Sequence, residues 1–243
     1  SAAAQISSVF DPFKYALFSA SEMDLLQFKG QNLITGNVHS NHSIKNAAEV
    51  TGVVTAVTTI DSRVSASGGK IEGSPVVEMP DFSDVTDLAA TMDKSTLINV
   101  FGAVYTENKN EYTMSEAQLD SLLSMYPIAL INGNLTVNGS GVHSTGSIMT
   151  TGDIVFNGSN VNMDASDSVC FYSMSGDITF NGGSGNVSGI LYAPSGTITL
   201  NGSGGIFYGS IVADTVACDG GITLTYNEKA AQSVPLTITR LVE

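Results

Sequence analysis

The chain of 243 residues carries 9 Lys and Arg against 23 Asp and Glu, a formal charge of −14, with 42% hydrophobic and only 13% charged residues. The hydrophobic share supports a packed core and excludes a chain disordered for want of one. So acidic a chain has no electrostatic footprint for nucleic acid or anionic lipid, and both are set aside as partners.

The N-terminus reads SAAAQISSVF, without Met or a basic run, as expected of a trimmed piece whose signal or anchor segment has been lost. No apolar window is long enough to span a bilayer. Ser19–Phe28 admits either a short helix or a strand. From Val38 (VHSNHSI) to Met79, short runs bounded by small residues predict a series of short strands. Between Pro80 and Pro127 the Gly-Asn corners vanish and two helical patterns take their place. Asp84 with Asp87 opens one through Leu88 and Met92. Ser115 with Gln118 forms a capping-box pattern before Leu119, Leu122 and Leu123. Residues 80–127 therefore read as an α-containing insertion on the flank or mouth of the domain, with a short hairpin possible in 99–114.

The second half repeats. GNLTVNG (Gly133–Gly139), GDIVFNG (Gly152–Gly158), GDITFNG (Gly176–Gly182) and GTITLNG (Gly196–Gly202) are followed by a degenerate copy, DTVACDG (Asp214–Gly220); their starts lie 19, 24, 20 and 18 residues apart. Each copy alternates apolar and polar residues, the mark of a strand buried on one face, and ends on Asn-Gly or Asp-Gly, where positive φ is cheap. A second phrase accompanies it: VHSTGSI (Val142–Ile148), FYSMSGDI (Phe171–Ile178), LYAPSGTI (Leu191–Ile198) and IVADTV (Ile211–Val216). VHSTGSI has a near twin in VHSNHSI (Val38–Ile44), which places His39 and His143 at matching points of the repeat. Because one phrase returns in one direction, parallel stacking is favoured over hairpins, and stacked copies bury what one copy cannot. The expected fold is all-β: one right-handed parallel β-helix over residues 1–243, the hand following the usual crossover bias. Alternation from Val234 predicts a C-terminal edge or capping strand within 229–243.

Candidate chemistry is sparse. His39-x-x-His42 has a metal-ligand spacing only on a helix and falls here in a strand-corner segment. The GGSGNVSGI run places Asn186 and Ser188 where a calcium nonapeptide repeat needs Asp, and Asp164 and Asp167 lack the glycine and terminal Glu of an EF-hand. No metal or other cofactor is expected. Cys170 and Cys218 read as buried free thiols, with a disulfide as the other possibility. Asp153 and Asp177 share one repeat position, with Asp214 at or beside it. Stacking would set the first two about 5 Å apart, within reach of a glycosidase-type pair. Turn-favouring Asn134 and Thr197 occupy the same slot in other copies. Sugar-acid clamps are scarce, Arg63 and Arg240 being the only arginines, and Trp is absent. Tyr172 and Tyr192 sit at equivalent positions with Tyr208 close by. The candidate ligand surface is therefore Tyr172, Tyr192, Tyr208, Asp153 and Asp177, against the plainer reading of tyrosines stacked between coils.

The run from Leu191 to Glu228 (LYAPSGTITLNG, then FYGSIVADTV, then a strand closing on Tyr-Asn-Glu), with YALFS (Tyr15–Ser19) and ITGNVHSNHSI upstream, resembles a β-solenoid domain of bacterial surface proteins. These are the accessory proteins of type IV and Flp (Tad-type) pilus assembly, PilX-like or TadG-like. Polymer-forming bactofilins share the repeat style but lack a helical insertion. The resemblance implies an extracytoplasmic solenoid tethered by an N-terminal membrane segment. It transfers no catalytic residues and implies partners among pilus or cell-envelope components. The expected function is a non-catalytic, surface-exposed structural or adhesin-like protein; the alternative is a β-helix that binds or cleaves carbohydrate, with a surface glycan as partner.

Overall fold

A computed structural model describes residues 11–80, 103–106 and 111–233. Short parallel strands wind into a parallel β-solenoid with three sheets. The first sheet stacks β10 (Ala103–Thr106), β12 (Ile128–Ile131), β15 (Ser147–Thr150) and the later part of β17 (Asn162–Ser173). It continues through the middle parts of β19 (Gly185–Leu200) and β20 (Gly205–Cys218) to β1 (Leu17–Ser19), β4 (Val38–Ser40), β7 (Val54–Ala56) and β9 (Lys70–Glu72). The second stacks β11 (Glu111–Ser115), β13 (Asn134–Asn138), β16 (Ile154–Phe156) and β18 (Ile178–Phe180). The ends of β19 and β20 follow, then β2 (Leu26–Phe28) and β5 (Ile44–Lys45). The third runs from β14 (His143–Thr145) through the starts of β17, β19 and β20. It goes on to β21 (Ile222–Tyr226), β3 (Leu33–Thr35), β6 (Ala48–Val50) and β8 (Val64–Ala66).

Stacking order therefore departs from chain order. The N-terminal coils do not precede the repeats in space. They dock on the last of them, β1 and β2 against β20 and β3 against β21. This seam is parallel on all three sheets, like every other coil junction. Side chains reinforce it: Ser210 Oγ donates to the Tyr15 carbonyl at 2.6 Å, Tyr226 Oη to the Phe13 carbonyl at 2.8 Å, and Lys29 pairs with Asp219 at 3.1 Å. Coil length changes across it. Contacts between neighbouring coils span 19, 24 and 20 residues among the C-terminal repeats and 16 in the N-terminal block.

The five repeated phrases stack as expected. Leu135, Ile154, Ile178, Ile198 and Val216 follow one another in register in the second sheet, all buried. With Phe171, Phe180 and Phe207 they fill the interior, Phe156 stacking on Phe180 at 5.1 Å. The Asn-Gly corner departs from its expected reason. Gly139 has φ +111°, but Gly158, Gly182, Gly202 and Gly220 have no positive φ. Glycine is needed there because a Cβ would overlap the carbonyl oxygen of the corresponding glycine one coil below.

Other expectations change. In 99–114, β10 and β11 form no hairpin with each other; each runs parallel to the next coil, β12 and β13, so 103–106 and 111–115 belong to the solenoid rather than to an insertion. The capping box does form: Ser115 caps α1 (Glu116–Met125), its hydroxyl accepting from Gln118 N and its own N–H reaching Gln118 Oε1 at 2.8 Å. Leu119 and Leu123 of α1 enter the core, and the Asp120 carboxylate accepts the His143 N–H at 3.1 Å, closing the edge of β14. At the opposite end Lys70 Nζ donates to the Val64 carbonyl at 3.0 Å, and the Glu72 carboxylate accepts the Ile60 N–H at 2.7 Å. Charged side chains there occupy edge groups that would otherwise invite another strand. Ser19–Phe28 holds β1's end and β2, not a helix. Residues 228–233 are helical (α2), capped by Asn227 Oδ1 on Lys229 N at 3.1 Å, so the expected 229–243 strand does not begin there. Its remainder from Val234, and the helix expected near Asp84, lie outside the described residues. No described helix is long and apolar enough to cross a membrane.

Candidate functional site

The five residues of the expected ligand surface separate. Tyr172 and Tyr192 point outward from the first sheet but are buried, stacked on each other with centroids 5.0 Å apart. Phe13 meets Tyr192 edge-on at 5.1 Å, and Val77, Met79 and Ala230 pack into the same apolar layer. The outward row of this sheet (Leu130, Met149, Tyr172, Tyr192, Val212, Phe18) is continuously apolar, so it is covered rather than presented to a ligand. Burial pushes the Tyr172 phenol up to about 12, as expected where no charge compensates the phenolate.

Asp153 and Asp177 are corner residues. Asn134 Oδ1 accepts the Asp153 N–H at 2.8 Å, Asp153 Oδ1 the Asp177 N–H at 2.8 Å, and Asp177 Oδ1 the Thr197 N–H at 2.6 Å. Each side chain satisfies the main chain of the next coil, and the pair is not aimed at a common point where a substrate would sit. Asp214 lies beside the row, since Thr215 is the partner of Thr197. On the far edge of the same sheet Asn157, Asn181 and Asn201 each donate Nδ2 to the Oδ1 of the asparagine one coil below, at 2.8, 2.9 and 2.8 Å, starting from Asn138.

The histidines are not equivalent either. His39 lies in the first sheet and His143 in the third, so the near-identical phrases around them serve different strands. His39 is buried, its Nδ1 2.7 Å from Thr55 Oγ1 and its Nε2 2.8 Å from Asn41 Oδ1, with Phe18 stacked at 5.6 Å. Desolvation lowers its pKa below the ordinary 6.5. Cys170 and Cys218 are free and fully buried, and burial raises both thiols, Cys218 to about 12. No group of three metal-ligating side chains occurs among the described residues.

What the structure does assemble is a shallow groove of about 430 Å³ on the outer face of the third sheet. Alternation of β14, β17, β19 and β20 sends Ser144, Met163, Val187 and Phe207 toward the interior and their neighbours outward. One outward row reads His143, Asn162, Asn186, Ile206. The other reads Thr145, Asp164, Ser188, Tyr208. Ile206 and Tyr208 are 50% and 48% exposed, two of the few large apolar side chains left open. The 24-residue coil carries its extra length at Ala165–Ser168, where the register of β17 shifts and Asp164 Oδ1 accepts the Ser166 N–H at 2.6 Å. Among the described residues, the second Asp164 oxygen, Asn186 Oδ1 and the hydroxyls of Thr145, Ser188 and Tyr208 make no hydrogen bond, while Asn186 Nδ2 is fixed on Asn162 Oδ1 at 3.2 Å.

Of these residues only Tyr208 belongs to the ligand surface expected from sequence; His143, Asp164, Asn186 and Ser188 sit in motifs that resemble metal or repeat-corner patterns instead. Their shared signal is a third alternating triplet per repeat, HST, NMD, NVS and IFY.

Fold and groove together define a parallel β-solenoid with one covered sheet and one open, polar-aromatic sheet. Residues 127–233 match a family model described as a domain of unknown function, DUF7305. No curated protein matches the chain. A solved structure it resembles is an ice-binding protein from the Antarctic ascomycete Antarctomyces psychrotrophicus, 12% identical, with 90% of this chain and 98% of that one covered and a TM-score of 0.44.

Proposed function

We propose that the chain is a non-catalytic, extracytoplasmic binding protein of adhesin-like type, displayed at the cell surface or on a pilus-associated assembly. The observation that carries this reading is the third sheet. At the corners of the second sheet the aspartates are spent on the main chain of the next coil and the asparagines on one another. Here an exposed aromatic and several unspent donors and acceptors are held on rigid strands, as a recognition surface requires. Against the carbohydrate-cleaving alternative stands the groove lining, which holds a single carboxylate, Asp164, where acid–base cleavage of a glycosidic bond uses two. The test is location followed by adhesion. Cells of the source organism are sheared, and appendage, envelope and cytosol fractions are probed with antibody. Signal in the appendage or envelope fraction, with adhesion lost on Tyr208→Ala, supports the reading; signal confined to the cytosol overturns it.

A further inference from the structure

Resting on that reading of the third sheet, we infer that the groove's ligand is a neutral, linear, extended glycan lying parallel to the solenoid axis, one sugar per coil. Three features of the groove select this chemistry.

The first is spacing. The lining residues come from four successive coils, so contacts recur at the strand separation of about 4.8 Å over about 14 Å. An extended β-linked pyranose chain advances by close to one such step per sugar. An extended peptide advances by about 3.3 Å per residue and falls out of step with the coils. The second is the kind of groups offered. Sugar hydroxyls both donate and accept. Thr145, Ser188 and Tyr208 carry hydroxyls that do the same, while Asp164 and Asn186 Oδ1 accept only. The exposed Tyr208 ring beside Ile206 gives the apolar face of a pyranose a platform at one end of the row. The third is charge. No Lys or Arg lines the groove, and Asp164 stands at its middle, so uronic or sulfated sugars meet an uncompensated like charge.

The test is titration calorimetry of the full chain with neutral β-linked oligosaccharides from disaccharide to hexasaccharide, and with uronic-acid oligomers of matching length. The expected result is saturable binding of a neutral series that tightens with length up to about four sugars and then levels. Tyr208→Ala is expected to weaken it by at least about tenfold, and Asp164→Asn to weaken it less while relaxing discrimination against uronic oligomers. Thr179→Val, on the outer face of the second sheet, should change nothing, and melting curves show that each variant is folded. No saturable binding to any neutral series, tighter binding of uronic oligomers, or neutral binding untouched by Tyr208→Ala each overturns the inference. If cell adhesion still depends on Tyr208 while no glycan binds, the surface reading survives and the glycan assignment alone falls.

Discussion

Asp219 stands in the asparagine row, in register with Asn201, and follows Leu200's partner Cys218. Every asparagine above Asn138 donates an amide hydrogen to the coil below, and an ionised carboxylate has none to donate. The row therefore stops at Asp219, whose Oδ1 is buried without a partner among the described residues while Oδ2 takes Lys29. Asp219→Asn should extend the row by one bond worth about 1 kcal/mol while reducing the largely exposed Lys29 ion pair to a plain hydrogen bond, so the unfolding free energy should rise by up to about 1 kcal/mol. Asn181→Ala, which removes one donor and one acceptor from the middle, should lower it by about 1–3 kcal/mol; paired urea titrations measure both. His39 gives a pH-dependent term of known sign. Its native pKa lies below the ordinary 6.5, so between those values the unfolded chain binds the proton and the folded one does not. Stability from this site is full above about 6.5 and is lost as pH falls toward the native value. Around the ring the titratable neighbour is Tyr15, 5.2 Å away and neutral in this range, its own pKa raised by burial. Melting temperatures should fall between about pH 7 and pH 5, and His39→Gln should flatten that slope. An unchanged slope in the variant would assign the effect to other groups.

At the scale of the element, helix α1 acts as the plug of one end. A solenoid with an open end exposes core residues and strand edges together, and α1 covers both: Leu119 and Leu123 seal the interior, and Asp120 accepts the His143 N–H and the Ser144 hydroxyl of β14. Leu119→Ala should cost about 2–5 kcal/mol through the cavity it leaves. Ser115→Ala should cost about 1 kcal/mol by removing the cap. Guanidinium unfolding distinguishes the two. The larger loss should also raise binding of a hydrophobic dye at intermediate denaturant, because the end of the core opens before the coils separate.

For the whole molecule the seam is the decisive feature. The chain from Asp11 to Pro80 and the chain from Glu111 to Ser233 are two blocks of consecutive coils, joined by parallel pairing in three sheets and by Ser210, Tyr226 and Lys29. Pairing across the seam is of the same kind as at the other coil junctions, so their association should not require the peptide connection. A specific protease site inserted after Ala90 and cleaved should leave two fragments that co-elute on gel filtration and separate only in denaturant. Fragments that part under native conditions would mean that the seam is weaker than an ordinary coil junction.

The sequence by itself determined the period, the parallel stacking of the five repeated phrases, the capping box at Ser115 and the burial of both cysteines, because each follows from local alternation, capping chemistry or composition. Tertiary structure decided the rest. Local sequence does not say which coil a coil stacks on, so the docking of the N-terminal block behind the last repeat was invisible. So were the different sheets of His39 and His143, since identical triplets fit any strand of the same alternation. Tyr172 and Tyr208 look alike in sequence, but only the fold lays Phe13 and Met79 over one sheet and leaves the other to solvent. Exposure is a property of what packs on a strand, and the chain that packs there comes from far along the sequence.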